Sequence, residues 1–327
     1  MLYNDPAQVL SPLADPVVSA IFINEQESGL AAQSIINCTL EPEDKLLGKI
    51  VRITSQQAFT DPSSRGSRVD VDAETNSNER VIFEINIYPD KTIMHRNWHA
   101  GSHIFREATS PGDTTVQMLA KVPRMIFINI LGYNIRDDNT ELVQPFKNIF
   151  TKPPYKVAIP QFSGYNIQLP RILEMEPDFN DGLYCWCYTL YTAHLEKKTI
   201  QEVLAMTSEL QSYAERDEGY FQFCQRYGMV SADPDTRHQY YLWTMSKLKE
   251  WGIRQTAIEE GLEEGLTKGM AQGLEQGLEQ GQIKRLVFQI HRKKLKNKSR
   301  EQIIDELEMD EDSLNILDNF DSYLHLL

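Results

Sequence analysis

The chain has 327 residues, 41% of them hydrophobic, and a formal net charge of −14, enough for a full core and more than one folded unit. That charge excludes a surface coated throughout with nucleic acid, though not local binding. No apolar run approaches the roughly 18 residues of a membrane span, and MLYNDPAQVLSPLADP lacks the layout of a signal peptide.

Asp15-Pro16 reads as an N-cap followed by a first-turn proline, starting a helix through VVSAIF. SGLAAQSIINCTL continues as a second helix after Glu25-Gln26-Glu27, and GKIVRITSQQAF is the first strand. The loop DPSSRGS then leads to two segments, RVDVDAET (68–75) and RVIFEIN (80–86), that alternate polar and apolar residues with the period of a β-strand. TNSNE between them is rich in turn formers and predicts an antiparallel hairpin. Centred on Ser77, that hairpin sets Asp70 opposite Glu84 and Arg68 opposite Asn86. Asp70, Asp72 and Glu74 share one face, and Val69, Val71 and Ala73 the other; Val81, Phe83 and Ile85 point to the core. Carboxylates held roughly 5 Å apart on one sheet face repel each other. A divalent cation between them would make sense of the pair.

KTIMHRNWHAGSHIFREA has helical spacing, and PRMIFINILGYNI is a nearly continuous apolar run that fits a buried central strand. From about Lys152 to Pro170 helix is disfavoured, with YNIQLP a candidate edge strand. Three helical patterns follow: DFNDGLYCWCYTLYTAHL, TIQEVLAMTSELQSYAE and EGYFQFCQRYG. A fourth starts near Asp233 and runs through YYLWTMSKLKEWGIRQ, where the aromatics read as packing. His95, His99 and His103 recur every fourth residue, but three ligands on one straight helix cannot close around an ion unaided, so a polar helix face is expected. The four cysteines, Cys38, Cys185, Cys187 and Cys224, have no metal or disulfide spacing, which fits a reducing, cytoplasmic setting; Cys185 and Cys187, beside Trp186 in an apolar run, read as buried free thiols.

Between 259 and 281 glycine recurs every fourth residue, from Gly261 to Gly281, with leucine or methionine after each of the first five. Mid-helix glycines cost roughly 1 kcal/mol each against alanine. The segment is therefore either a helical linker or a self-association element in which close approach to a partner helix offsets that cost. Eight Lys or Arg residues and no acid lie between Lys284 and Arg300. Ser299 then begins a helix with Gln302 in the capping-box position, and MDEDSLNILDNF supplies another.

The ordered set LADPVVSAIF, RVDVDAET, NERVIFEIN, HRNW, PRMIFINIL with NIR, PRILEME and the glycine-every-four tail resembles the PD-(D/E)XK nuclease superfamily. Within it, the chain resembles the recombination-promoting nuclease/putative transposase family, over about residues 10 to 285. The resemblance implies an α/β fold with a restriction-endonuclease-like mixed sheet flanked by helices. The expected organisation is a nuclease-like domain at 10–170, a helical subdomain at 171–255, the repeat at 256–282 and a small basic helical module at 283–327. The implied activity is Mg-dependent (or Mn-dependent) DNA endonuclease action linked to mobile-element recombination, with DNA as partner, possible homo-oligomers through the repeat, no membrane association and a cytoplasmic location. Asp70, Glu84 and the carbonyl of Ile85 would hold the metal. Asp15 is the best match for an acidic residue on the first helix, ahead of Glu27. Arg96 matches a family arginine that would contact phosphate or form a salt bridge. At position 86 the family usually has Gln and the superfamily Lys, whereas Asn86 is one methylene shorter than Gln. Lys91 or Arg68 are possible substitutes, and His99 or a neighbour stands where the family has tyrosine. A catalytically degenerate member that binds DNA or a partner is the alternative implied by that departure.

Overall fold

The computed structural model describes residues 8–22, 25–59, 67–135 and 140–327. Most of the DPSSRGS loop, and the side chains of Glu27 and Arg68, lie outside the described residues. The rest forms two compact units, one ending at Ser246 and the other starting at Lys247.

The first unit opens with α1 (Asp15–Phe22) and α2 (Glu25–Thr39). Three strands follow, β1 (Ile50–Phe59), β2 (Ser67–Thr75) and β3 (Glu79–Asn86). Next come α3 (Ile93–Ala108), α4 (Thr115–Lys121), β4 (Arg124–Leu131), β5 (Val143–Ile149) and β6 (Val157–Gln168). The six strands make one mixed sheet in the order β1-β2-β3-β4-β6-β5. β1, β2 and β3 are antiparallel neighbours, β4 runs parallel to both β3 and β6, and β5 closes the sheet antiparallel to β6. This mixed sheet flanked by helices is a restriction-endonuclease-like α/β architecture. The hairpin register is the expected one, pairing Glu74 with Arg80 and Val71 with Phe83.

Three local expectations are corrected. α1 starts at Asp15 itself, and the Ala14 carbonyl accepts the first helical bonds from Val17 and Val18, so Asp15 is the first helical residue rather than the N-cap. The strand containing YNIQ is not an edge: it is the end of β6, buried between β4 and β5. The edge on that side is β5, whose VQPFKNI mixes proline, lysine and apolar residues without clean alternation, a composition natural sheets use at an edge. TIQEVLAMTSELQSYAE forms two helices, α6 (Ile200–Leu204) and α7 (Ser208–Arg216), because Thr199 and Thr207 each cap a separate N-terminus.

One face of the sheet (Val71, Ala73, Val81, Phe83, Ile126, Ile128, Tyr165, Ile167) packs with α1, α2, α5 (Gly182–Glu196), α6, α7 and α8 (Glu218–Ala232) into a single large core. The other face buries Ile82, Met125, Phe127 and Phe162 under Ala100 and Ile104 of α3. Covering both faces explains why all of β3 before Ile85 is buried, polar residues included. A half-buried polar hub ties the helices together. Asp217 accepts from Ser34 Oγ (2.8 Å), Tyr213 OH (3.0 Å) and the Tyr220 amide (2.8 Å), and Trp186 donates to Ser34. The four cysteines are free, three of them buried, and burial pushes the Cys185 and Cys224 thiols up to about 12.

α9 (Pro234–Lys294) is a continuous 61-residue helix through the glycine repeat. In the second unit its last turns pack Val287 and Ile290 against Ile303 of α10 (Arg300–Leu307), Ile316 and Leu317 of α11 (Glu311–Asp318) and Phe320. The expected capping box of Ser299 and Gln302 starts α10. Much of the basic stretch is matched locally: Lys293 and Lys298 both pair with Glu306, Arg300 with Asp318, and Lys294 lies over the Phe320 ring. The two lysines hold the Glu306 carboxyl down to about 2. No helix among the described residues is long and apolar enough to cross a membrane.

Candidate active site

The hairpin ladder reaches Val71↔Phe83, and the next residues along each strand are Asp70 and Glu84. Instead of leaving backbone groups open there, the Asp70 carboxylate accepts from the Ile85 amide at 2.7 Å. A carboxylate that accepts from a backbone N–H is held in one orientation. Glu84, in the strand that both faces bury, is only 3% exposed. A buried carboxylate needs a compensating partner, and Glu84 has one in the Arg96 guanidinium. Arg96 reaches it from the first turns of α3, whose buried stripe of Ile93, Asn97, Ala100 and Ile104 fixes the rotation of the helix on the sheet.

Arg96 also approaches Asp90 (Nη1 to Oδ2, 3.4 Å), and Asn86 donates its Nδ2 to the same Asp90 oxygen at 3.2 Å. The other oxygen of Asp90 accepts from the Thr92 amide (2.7 Å) and hydroxyl (2.6 Å). The Tyr133 hydroxyl donates to the Asp90 carbonyl at 3.1 Å, and burial pushes that phenol up, so it stays a donor. Tyr133 follows Gly132, whose amide bonds the Asn86 carbonyl at 2.9 Å. A Cβ at Gly132 would lie 2.7 Å from the Ile87 carbonyl oxygen, so the chain leaving β4 can approach the end of β3 this closely only as glycine.

Asp70, Glu84, Ile85, Asn86 and Arg96 therefore gather at one end of the hairpin. Asp15 begins a helix that packs on the Val71/Phe83 face, and no group of three His, Cys, Asp or Glu side chains arranged for a metal is present among the described residues. His103 contacts Arg106 at 2.9 Å and its ring lies tilted against that of His99, but His103 is buried against the sheet, so only part of the expected polar helix face is exposed. Sequence reasoning missed Asp90 and Tyr133. Asp90-x-Thr92 directly before a helix was the usable signal, because an Asp there folds its side chain back onto the backbone two residues on.

On the same sheet face, Asp72 (1% exposed) pairs with Arg80 through two donors. Burial pushes the Asp72 carboxyl up, against the pull of that guanidinium. The pair lies nearer the turn than Asp70 and Glu84, and serves the sheet.

A family model described as PD-(D/E)XK nuclease family transposase matches residues 12–245. The chain belongs to that family. Its match takes in all six strands and the site just described, while no curated protein and no solved structure matches the chain. Membership of this nuclease family gives the protein a nuclease-related role and implies DNA as substrate. PD-(D/E)XK nucleases generally use divalent metals. The donors at the hairpin end fit such an ion. Two carboxylates and a backbone carbonyl are the all-oxygen set that hard cations take, and the buried charge of Glu84 already draws a cationic group, Arg96.

Proposed function

We propose that this protein is a Mg²⁺-dependent (or Mn²⁺-dependent) DNA endonuclease that hydrolyses phosphodiester bonds in mobile-element recombination. The observation that carries the reading is the hydrogen bond from the Ile85 amide to Asp70: it fixes one carboxylate against the residue that follows the other, within the family's matched span. Asp70, Glu84 and the Ile85 carbonyl hold the ion, with Asp15 as a candidate additional acid from α1. When bound, such an ion polarises a phosphoryl oxygen and lowers the pKa of a water nucleophile.

The chain's own groups do the rest. Arg96, itself partly exposed beside buried Glu84, offers its fork to a phosphate oxygen, where guanidinium geometry suits two parallel hydrogen bonds. Asn86 takes the place of the longer family amide and orients the attacking water through its side-chain oxygen. The site sits at the end of a sheet whose two faces are both packed against helices.

Supercoiled plasmid incubated with the protein and a metal series tests this reading. Nicking with Mg²⁺ or Mn²⁺, abolished in a folded Asp70→Ala variant, is the expected result; unchanged cutting by that variant would refute the assignment. A second reading, a degenerate member that binds DNA without cutting it, is favoured by the short reach of Asn86 and its engagement with Asp90. It predicts an inert wild type in which Asn86→Gln restores cutting.

The tail adds self-association to the proposal. Leu262, Leu266, Met270, Leu274 and Leu278 are 60 to 73% exposed along α9, and nothing lies within 4 Å of where a Cβ would project at the six repeat glycines. Residues four apart form a ridge inclined to the helix axis. The leucine row is such a ridge and the glycine row the groove beside it, so a second copy of the helix supplies both complements.

A further inference from the structure

We propose that Asp90 is a positioning residue of this site, whose carboxylate sets the Asn86 amide and the Arg96 guanidinium beside Glu84. The inference rests on the nuclease reading for its catalytic consequence, but not for its geometry. Three independent elements orient Asp90: the start of α3 through Thr92 on Oδ1, the strand end through Asn86 on Oδ2, and the chain after β4 through Tyr133 on the main-chain oxygen. Arg96 completes the arrangement, spanning Glu84 and Asp90 with one guanidinium. Asp90 thus links the only two side chains at the hairpin end, among those described above, that offer N–H donors to a phosphate or water.

The consequence follows from the shape of an amide. Asn86 has a short side chain with two freely rotating bonds, and left alone its oxygen and nitrogen could exchange places. Donating Nδ2 to Asp90 Oδ2 removes that ambiguity, so Oδ1 is the atom Asn86 presents elsewhere. Asp90 thereby gives an asparagine the fixed orientation that a longer glutamine would need its own partners to obtain. Arg96 is held likewise: a guanidinium bound by two carboxylates keeps its plane, whereas one resting on Glu84 alone can pivot. Asp90 is not a metal ligand in this scheme. Both of its oxygens are engaged by donors, and it forms no three-ligand cluster with its neighbours among the described residues.

A rival role is purely structural, the capping of the turn that enters α3. Asp90→Asn separates the two. It keeps an oxygen for Thr92 but replaces the acceptor facing Asn86 and Arg96 with a donor. In the full chain, three measurements are made on wild type, Asp90→Asn and Asp70→Ala. The Asn86 side-chain amide resonances, assigned by their loss in Asn86→Ser, are expected to move in Asp90→Asn while its melting temperature stays at the wild-type value. Mn²⁺ binding by calorimetry is expected to be unchanged in Asp90→Asn and lost in Asp70→Ala. Plasmid nicking is expected to fall 10- to 100-fold in kcat, the usual effect of removing a group that orients a site, with KM unaltered. The double variant Asn86→Ala/Asp90→Asn should lose less than the product of the two single losses, because part of the Asp90→Asn loss runs through Asn86.

Unmoved Asn86 resonances would overturn the proposal, as would loss of Mn²⁺ binding in Asp90→Asn, which would make Asp90 a ligand. Additive losses in the double variant would also count against it. If wild type nicks nothing with either metal, the nuclease reading falls, and the amide resonances alone decide whether Asp90 positions Asn86.

Discussion

Asp72 and Arg80 show how a charge pattern in a strand can mean burial rather than exposure. Their alternation with Val71, Ala73 and Val81 has the period of a strand with one wet face, yet Asp72 is 1% and Arg80 9% exposed, because α3 covers that face. Removing one partner of a buried pair leaves an uncompensated charge and costs about 3–5 kcal/mol. Arg80→Met is therefore expected to lower stability by about that amount, measured by urea unfolding, and Asp72→Asn in the same background to recover part of the loss. An Arg80→Met chain as stable as wild type would mean that Asp72 is neutral in the fold. At this scale Asp70, Glu84, Asn86 and Arg96 were legible because the period and family pattern mark them. Asp90 was not, because its partners Asn86, Arg96 and Tyr133 converge only once β3, α3 and the chain after β4 are packed.

Among the elements, α9 poses the sharpest question, since six glycines should weaken a helix that is nonetheless continuous over 61 residues. Alanine at Gly265, Gly269 or Gly273 meets no atom within 4 Å in the single chain, so each replacement should raise helix stability by roughly 1 kcal/mol. In the proposed paired form the added methyl fills the groove that receives the partner's leucine. Gly265→Ala/Gly273→Ala is expected to raise helicity by circular dichroism while shifting the species seen by light scattering toward monomer. Pairing should also strengthen with salt, because the repeat is rich in glutamate and salt screens like charges. A monomer at every salt concentration would rule the pairing out. Repeat, capping box and hairpin were readable because each is a local pattern. β5 and β6 were not, because their places in the sheet are set by partners in β4 and by edge exposure, and VQPFKNI carries no strand period of its own.

In the first unit, polar contacts tie the described segment before α1 to the helices. Ser11 Oγ and His194 Nδ1 lie 2.8 Å apart, and Tyr227 donates to the Leu10 carbonyl at 2.5 Å, so the segment before α1 is clamped onto α5 and α8. Burial pushes the His194 imidazole below its usual value, so the unfolded chain takes up this proton at a higher pH than the folded one. Stability from neutral His194 is then full above the unfolded pKa of about 6.5 and is lost as pH falls below it. Melting temperatures between pH 7.5 and 5 are expected to drop more steeply for wild type than for His194→Gln; equal slopes would exclude this residue as a cause. None of this was visible in the sequence, where His194 closes a helical pattern and Ser11 lies in an irregular leader some 180 residues away.

By itself, the sequence determined most of the helices, the first strands and the hairpin register that brings Asp70 and Glu84 to one end, because period, capping residues and turn formers act over neighbours in the chain. Only the tertiary structure decided which charges are buried, that β6 lies inside the sheet, and that Asp90 joins Asn86 and Arg96 beside Glu84. Those outcomes depend on which distant surfaces exclude water and which polar groups must then find partners, and no local pattern encodes that.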